Sequence, residues 1–241
     1  MSASEAQTWL AVVGGLITAI VALLGFFNYR TRRDYFATVG EAFSSTVDSL
    51  SDDKLTKQIA AAVLLRRFFD PHTEQGRRGL AYKSEAVNVI AGMLREDHDA
   101  RLQKALADGL RYARVLTNAD LQQCNLASAY LGKKLGDDWV LDLSDADLYD
   151  AKLDGASLKE VIAERTVFYL ASLKGTVFER ATLAGADFRG AELAGAKFAG
   201  ALIEQAKFGG AHNIPDEVAT FLDERSVARL GARVPDAENR G

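Results

Sequence analysis

One cysteine, three histidines and three prolines in 241 residues exclude a good deal. A lone Cys124 can form no internal disulfide and supplies no multi-cysteine metal site. His72, His98 and His212 are scattered, with no paired-histidine metal motif on a helix. No glycine-rich phosphate loop follows a strand pattern, and no nucleophile elbow is present. Catalysis needs a nucleophile, base or metal set that converges. None is legible, so we assign no catalytic, metal-binding or cofactor-binding residue and expect a protein that is not an enzyme. Excess basic charge is missing too. The chain carries 29 Lys and Arg against 33 Asp and Glu, a net charge of −4, which argues against nucleic acid as a partner. Pro71 and Pro215 fall where boundaries are expected.

Charge is absent altogether from Trp9 to Phe27, a run of 19 residues. About 20 apolar residues span a bilayer as a helix, so residues 9–29 are expected to be a transmembrane helix behind a short exterior segment, residues 1–8. The preceding MSASEAQT has no Lys or Arg, unlike a secretory leader. Arg30, Arg32 and Arg33 follow at once, placing the C-terminal side in the cytoplasm by the positive-inside rule and near lipid headgroups. Trp9 and Tyr29 sit at the two ends, as interfacial aromatics do. The expected location is therefore the inner (cytoplasmic) membrane, single-pass, with the bilayer as one partner. Ala11, Gly15 and Ala19 form one row of small residues, and Gly14, Thr18 and Ala22 a neighbouring one. Such rows let membrane helices approach closely, which gives self-association a route to a homo-oligomer.

Residues 30–113 read as a helical module. Phe36, Val39, Phe43, Val47 and Leu50 recur at helical spacing, and so do Leu55, Ile59, Val63, Leu64 and Phe68 before Asp70-Pro71. Ser84 is a plausible N-cap for a helix burying Val87, Ile90 and Leu94. A last helix carries Leu102, Leu106 and Leu110. Arg66, Arg67, Arg77 and Arg78 could meet lipid headgroups or pair with carboxylates of the module.

From about residue 114 the helical period disappears. Leu116, Leu121, Leu126 and Leu131 are five apart. After a slip across GKKLGDDWVLD the period resumes at Leu143 and continues to Phe208, with only Ala163 undersized. Two positions before most centres stands a small residue, usually Ala, with Cys124, Thr166 and Thr176 in the same slot. A five-residue unit with two inward positions closes only if the chain turns every five residues. Four turns then make a 20-residue coil, and coils stack at about 4.8 Å. The register predicts Phe168, Phe188 and Phe208 on one side and Phe178 and Phe198 on the opposite one. Leu153, Leu173 and Leu193 hold a third side, and Leu143, Ala163, Leu183 and Ile203 the fourth.

The A-(D/N)-L-x-x pattern over residues 114–213 resembles the pentapeptide-repeat family. The resemblance implies a right-handed quadrilateral β-helix. The N-terminal layout is similar to a bacterial subgroup with a membrane helix and a helical region before the repeats. Pro215 and the spacing of Val218, Phe221, Leu222, Val227 and Leu230 predict a capping helix over 214–230, with dimer formation through it as the alternative. Residues 231–241 are expected to be a flexible tail. The fold class is thus a single transmembrane helix, a small helical module and a pentapeptide-repeat solenoid with a C-terminal capping helix.

Surface positions carry the functional expectations. Residues 20 apart form outward ladders, one of them Tyr149, Tyr169 and Arg189. Ile162, Val167, Leu170 and Val177 are outward apolar residues nearby, and exposed apolar patches mark interfaces. Trp139, on the loop expected at the register slip, is either an interface anchor or a lid over the coil. We expect a membrane-anchored, cytoplasm-facing scaffold that binds protein partners through its repeat surface. A membrane-acting effector or sensor in stress or phage defence is the alternative. A third reading follows from the family resemblance, in which some members mimic DNA and bind type II topoisomerases. Residues 114–213 hold 14 acidic against 11 basic residues, an excess far below the charge density of DNA, and this disfavours mimicry.

Overall fold

The computed structural model describes residues 3–70, 72–73 and 80–222. The chain forms two compact units, Met1–Ser44 and Ser45–Gly241. A single helix, α1 (Ala3–Leu50), runs where two were expected. Between Asn28 and Leu50 there is no proline and only one glycine, Gly40, so nothing stops it. Among the described residues no helix is long and apolar enough to cross a membrane. The side chains of Trp9 to Ile20, most of the expected span, lie outside the described residues.

Three further helices, α2 (Leu55–Leu65), α3 (Leu80–Leu94) and α4 (Ala100–Leu110), precede the coil, with 3-10 turns at Arg66–Phe68 and Arg111–Ala113. α4 packs against α2 and α3. It starts at Asp99, whose carboxylate accepts from the N–H of Arg101 at 2.9 Å, an N-cap. Leu102, Leu106, Leu110, Val87, Ile90 and Leu94 are buried as the spacing predicts. Two expectations are corrected. α3 begins at Leu80, so Ser84 lies inside the helix and caps nothing. In α2 the buried face is Ala61, Ala62 and Leu65, while Val63 and Leu64 are exposed. IAAAVLL is apolar all round, so its periodicity cannot choose a face, and the alanines allow the closer approach.

From Val115 the chain coils with four bridged positions per turn. Asp142, Asp147, Lys152 and Ser157 pair in parallel with Ile162, Val167, Ser172 and Val177, and these with Thr182, Asp187, Glu192 and Lys197. The step is 20 residues, except for 27 between the first two coils (Asp120 to Asp147). The seven extra residues amount to one five-residue unit plus the two-residue slip expected across GKKLGDDWVLD. No continuous strand forms among the described residues, because each side contributes one bridged residue before the chain turns. The N–H of Phe168 donates to Asp187 O at 2.8 Å and that of Val167 to Ala146 O at 3.0 Å, and this two-way pattern repeats along the stack. Each corner is closed by the N–H three residues after the centre, as in Ala151 to Leu148 O at 3.1 Å.

The core matches the predicted register. Phe168 and Phe188 stack at 5.0 Å between ring centroids, Phe188 and Phe208 at 4.9 Å, and Phe178 and Phe198 at 5.0 Å. Rings from opposite sides meet edge to face, as Phe178 and Phe188 do at 5.7 Å, the geometry aromatic quadrupoles favour. The undersized centre Ala163 is explained by Val161, which occupies the small slot two residues earlier and is also buried. The unit exchanges its large and small positions at nearly constant volume.

The helical module closes the N-terminal end of this stack. The N–H of Asn125 donates to Leu94 O at 2.7 Å, and that of Tyr130 to the Asp108 carboxylate at 2.7 Å. Carbonyls of the first coil accept from side chains of the module: Gln122 from Arg95, Asn125 from Gln103, Ser128 from Lys104 and Gly132 from Arg111. An open solenoid edge would leave these groups unpaired. At the other end α5 (Asp216–Ala219) follows Pro215, buries Val218, and lends the Glu217 carboxylate to the N–H of Phe198 at 2.7 Å. The helix is shorter than expected: it ends at Ala219, and Thr220 and Phe221 form a turn, while residues 223–230 of the expected cap lie outside the described residues.

Candidate docking face

The outward ladder predicted from 20-residue spacing is present. Tyr149 and Tyr169 stack at 5.8 Å with 28° between ring planes. The Arg189 guanidinium lies 5.6 Å from the Tyr169 centroid and is clamped to Asp187, with Nη2 to Oδ2 at 2.6 Å. That hydrogen bond holds the Asp187 carboxyl below its ordinary pKa, and the pair is neutral together.

Tyr169 and Leu170 are 39% and 44% exposed. Val167 is half-buried beside them, as are Ile162 and Val177 on the adjoining sides. The fifth and last position of the unit, two residues after the centre, turns the corner with positive φ. Among the described residues the non-glycine occupants are Arg, Asn, Gln, Ser, Asp, Glu and, once, an apolar residue: Leu170, at φ 60°. Left-handed backbone is unfavourable for an L-residue, and Asn or Asp tolerates it best. Leu170 leans over Gly190 of the next coil, where an added Cβ would meet its Cδ2 at 2.6 Å.

Charge is uneven along the stack. The second coil, residues 141–160, holds six carboxylates and two lysines. Asp145 is neutralised by Arg165 through two hydrogen bonds of 2.7 Å, which lower its pKa. On the tyrosine face Asp147 accepts from the N–H of Tyr149 at 2.9 Å and from Gln122 at 2.6 Å. Asp150 accepts from Gln123 at 3.3 Å. Both bonds to these two glutamines are from neutral donors, so the two charges remain.

Trp139 takes the second of its two expected positions: it folds back. Two guanidiniums lie against its ring, Arg111 at 4.5 Å and Arg114 at 4.8 Å from the centroid. Arg111 is buried, ion-paired with Asp137, and donates through Nε to Gly132 O at 2.9 Å. Arg114 is 2.8 Å from His72 Nε2. The residue that does project from the loop is Leu135, fully exposed, which the period-five reading passed over. Arg66 turns inward, its guanidinium 4.8 Å from the Tyr112 ring centroid.

Cys124 occupies its inward slot, and burial pushes its thiol up to about 11, so it is a packing residue. Thr166 and Thr176 are buried with hydroxyls donating to Leu143 O and Leu153 O at 2.8 Å. Among the described residues no group of three His, Cys, Asp or Glu side chains could hold a metal. Of the membrane-helix positions, Ala22 is exposed. The side chains of Ala11, Gly14, Gly15, Thr18, Ala19 and Arg32 lie outside the described residues. Arg30 and Arg33 both approach Asp34, at 3.9 and 3.8 Å.

Parallel coils with a 20-residue step after the first, four-sided and filled by side chains, define a β-solenoid. The family model described as pentapeptide repeats (8 copies) matches twice, over residues 142–180 and 171–210, so this stretch is a run of pentapeptide repeats. No curated protein matches. Among solved structures, a pentapeptide repeat protein from the cyanobacterium Cyanothece 51142 is similar over 41% of this chain and 86% of its own, at 23% identity and TM-score 0.28. One from the Arabidopsis thaliana thylakoid lumen is similar over 50% and 85%, at 19% identity and TM-score 0.35. HetL of Nostoc, involved in heterocyst differentiation regulation, is similar over 41% and 51%, at 26% identity and TM-score 0.20.

Proposed function

We propose that this chain is a non-enzymatic scaffold, anchored in the inner membrane by its N-terminal helix, that binds a protein partner through the tyrosine face of its solenoid. The observation that carries the docking role is the stack of half-buried Tyr149 on exposed Tyr169, with exposed Leu170 beside it. Leu170 is held in a backbone conformation that leucine disfavours. An exposed apolar side chain in a strained position adds little to folding, and such outliers point toward function. The anchor rests on the 19 uncharged residues from Trp9 to Phe27 and on Arg30, Arg32 and Arg33, which favour a cytoplasmic solenoid. A right-handed coil is part of the same reading, by resemblance.

The test starts from membranes washed with alkaline carbonate. The full-length chain is expected in the washed pellet. Extracted in mild detergent and affinity-purified, it is expected to bring down one protein in stoichiometric amount. Val167→Asp with Tyr169→Ala should abolish that recovery while the thermal melt still shows a folded chain. A chain washed off by carbonate would remove the anchor, and a partner retained by the double variant would remove the docking role.

A further inference from the structure

We infer that the occupant of the tyrosine face is a basic amphipathic helix of a partner protein, with its lysines or arginines beside Asp147 and Asp150 and its apolar row over Tyr169 and Leu170. The inference rests on the scaffold reading and adds the chemistry of the partner. The face has two ends of different character. At the second coil lie two exposed or half-exposed carboxylates, Asp147 and Asp150, bonded only to glutamine amides and to a backbone N–H. One coil further on come Val167, Tyr169 and Leu170, without charge, and then the self-neutralised Asp187–Arg189 pair. A complementary surface therefore presents cations first and apolar groups next.

The spacing suits a helix. Successive coils are about 4.8 Å apart, and side chains at i and i+3 or i+4 of a helix are about 5–6 Å apart at Cβ. A lysine and a leucine one helical turn apart therefore reach the carboxylates and Leu170 together. Phosphate-bearing occupants, whether nucleic acid or anionic lipid, are repelled by the same two carboxylates.

The experiment uses the full-length chain in nanodiscs of zwitterionic lipid. The probe is a labelled 18-residue peptide of leucine and lysine in helical register, read by fluorescence anisotropy against empty nanodiscs. A leucine–glutamate peptide of the same pattern is the control. Asp147→Asn with Asp150→Asn keeps the acceptor for the Tyr149 N–H and keeps a residue suited to the positive φ of 53° at position 150, so the fold is spared. We expect the lysine peptide to bind with an affinity that falls at least tenfold in this variant. The same loss is expected in Leu170→Asn and on raising salt from 50 to 500 mM, with no binding of the glutamate peptide. Absence of binding, equal binding to wild type and variants, or oligomerisation of the chain itself through this face would each overturn the inference. A stoichiometric cellular partner that is lost on Val167→Asp with Tyr169→Ala, yet indifferent to Asp147→Asn with Asp150→Asn, leaves the scaffold standing and removes only the basic helix.

Discussion

Leu170 shows how a repeat can record a second demand on one residue. Its unit needs a turn with positive φ, and the other non-glycine occupants of that position among the described residues are polar. A residue chosen for folding alone would be Gly, Asn or Asp. Leu170→Asn should therefore raise the stability of the full-length chain by about 1 kcal/mol, the left-handed penalty removed, less the small contact with Gly190. The urea midpoint measures it. A midpoint that falls would mean that the leucine is there for packing against the next coil and would withdraw the strain argument. The opposite signs expected for stability and for peptide binding make this one substitution informative twice.

Single elements explain what the sequence could and could not tell. The period of five is local and repeated, so the sides of the solenoid, the stacked phenylalanines and the Tyr149–Tyr169–Arg189 ladder follow from counting. The faces of α2 do not, because over Ile59–Leu65 three alanines and four larger apolar residues leave no polar side to orient the helix. The capping role of α3 and α4 was hidden for another reason. It depends on Arg95, Gln103, Lys104 and Arg111 meeting carbonyls 21 to 27 residues away, and any amphipathic helix can carry such polar residues. One signal was available: Gln103, Ala107 and Arg111 recur every four residues beside the leucine stripe, and all three are buried. Arg111 is the pivot of this junction, since it joins the Asp137 carboxylate, the Gly132 carbonyl and the Trp139 ring. Truncating one member of a buried ion pair leaves the other uncompensated. Arg111→Ala should cost roughly 3 kcal/mol, and Arg111→Lys should cost less because it keeps the charge but loses the planar fork. Equal midpoints for wild type and Arg111→Ala in urea unfolding would show that the clamp is incidental.

At the scale of the whole molecule, each coil touches only the coil above and the coil below, so stability is distributed along one axis. The two ends are unequal. The first coil is covered by helices that satisfy its N–H and carbonyl groups, whereas the described part of the C-terminal end has one short helix and one capping carboxylate, Glu217. The layers differ accordingly. Phe188 is fully buried and stacked on both neighbours, Phe168 and Phe208, while Phe208 has a described ring stacked on one side only and is 8% exposed. Phe188→Ala should cost about 3–5 kcal/mol, the range for emptying a packed aromatic site. Phe208→Ala should cost about half as much, because the last layer can relax toward solvent. Amide hydrogen exchange gives the matching picture in the wild-type chain: protection should be highest for the N–H groups of Phe168 and Phe188 and should fall toward Phe208. If the two alanine variants cost the same, and exchange is uniform from the second coil to the last, the solenoid unfolds as one cooperative block, and the gradient of stability along its axis does not exist.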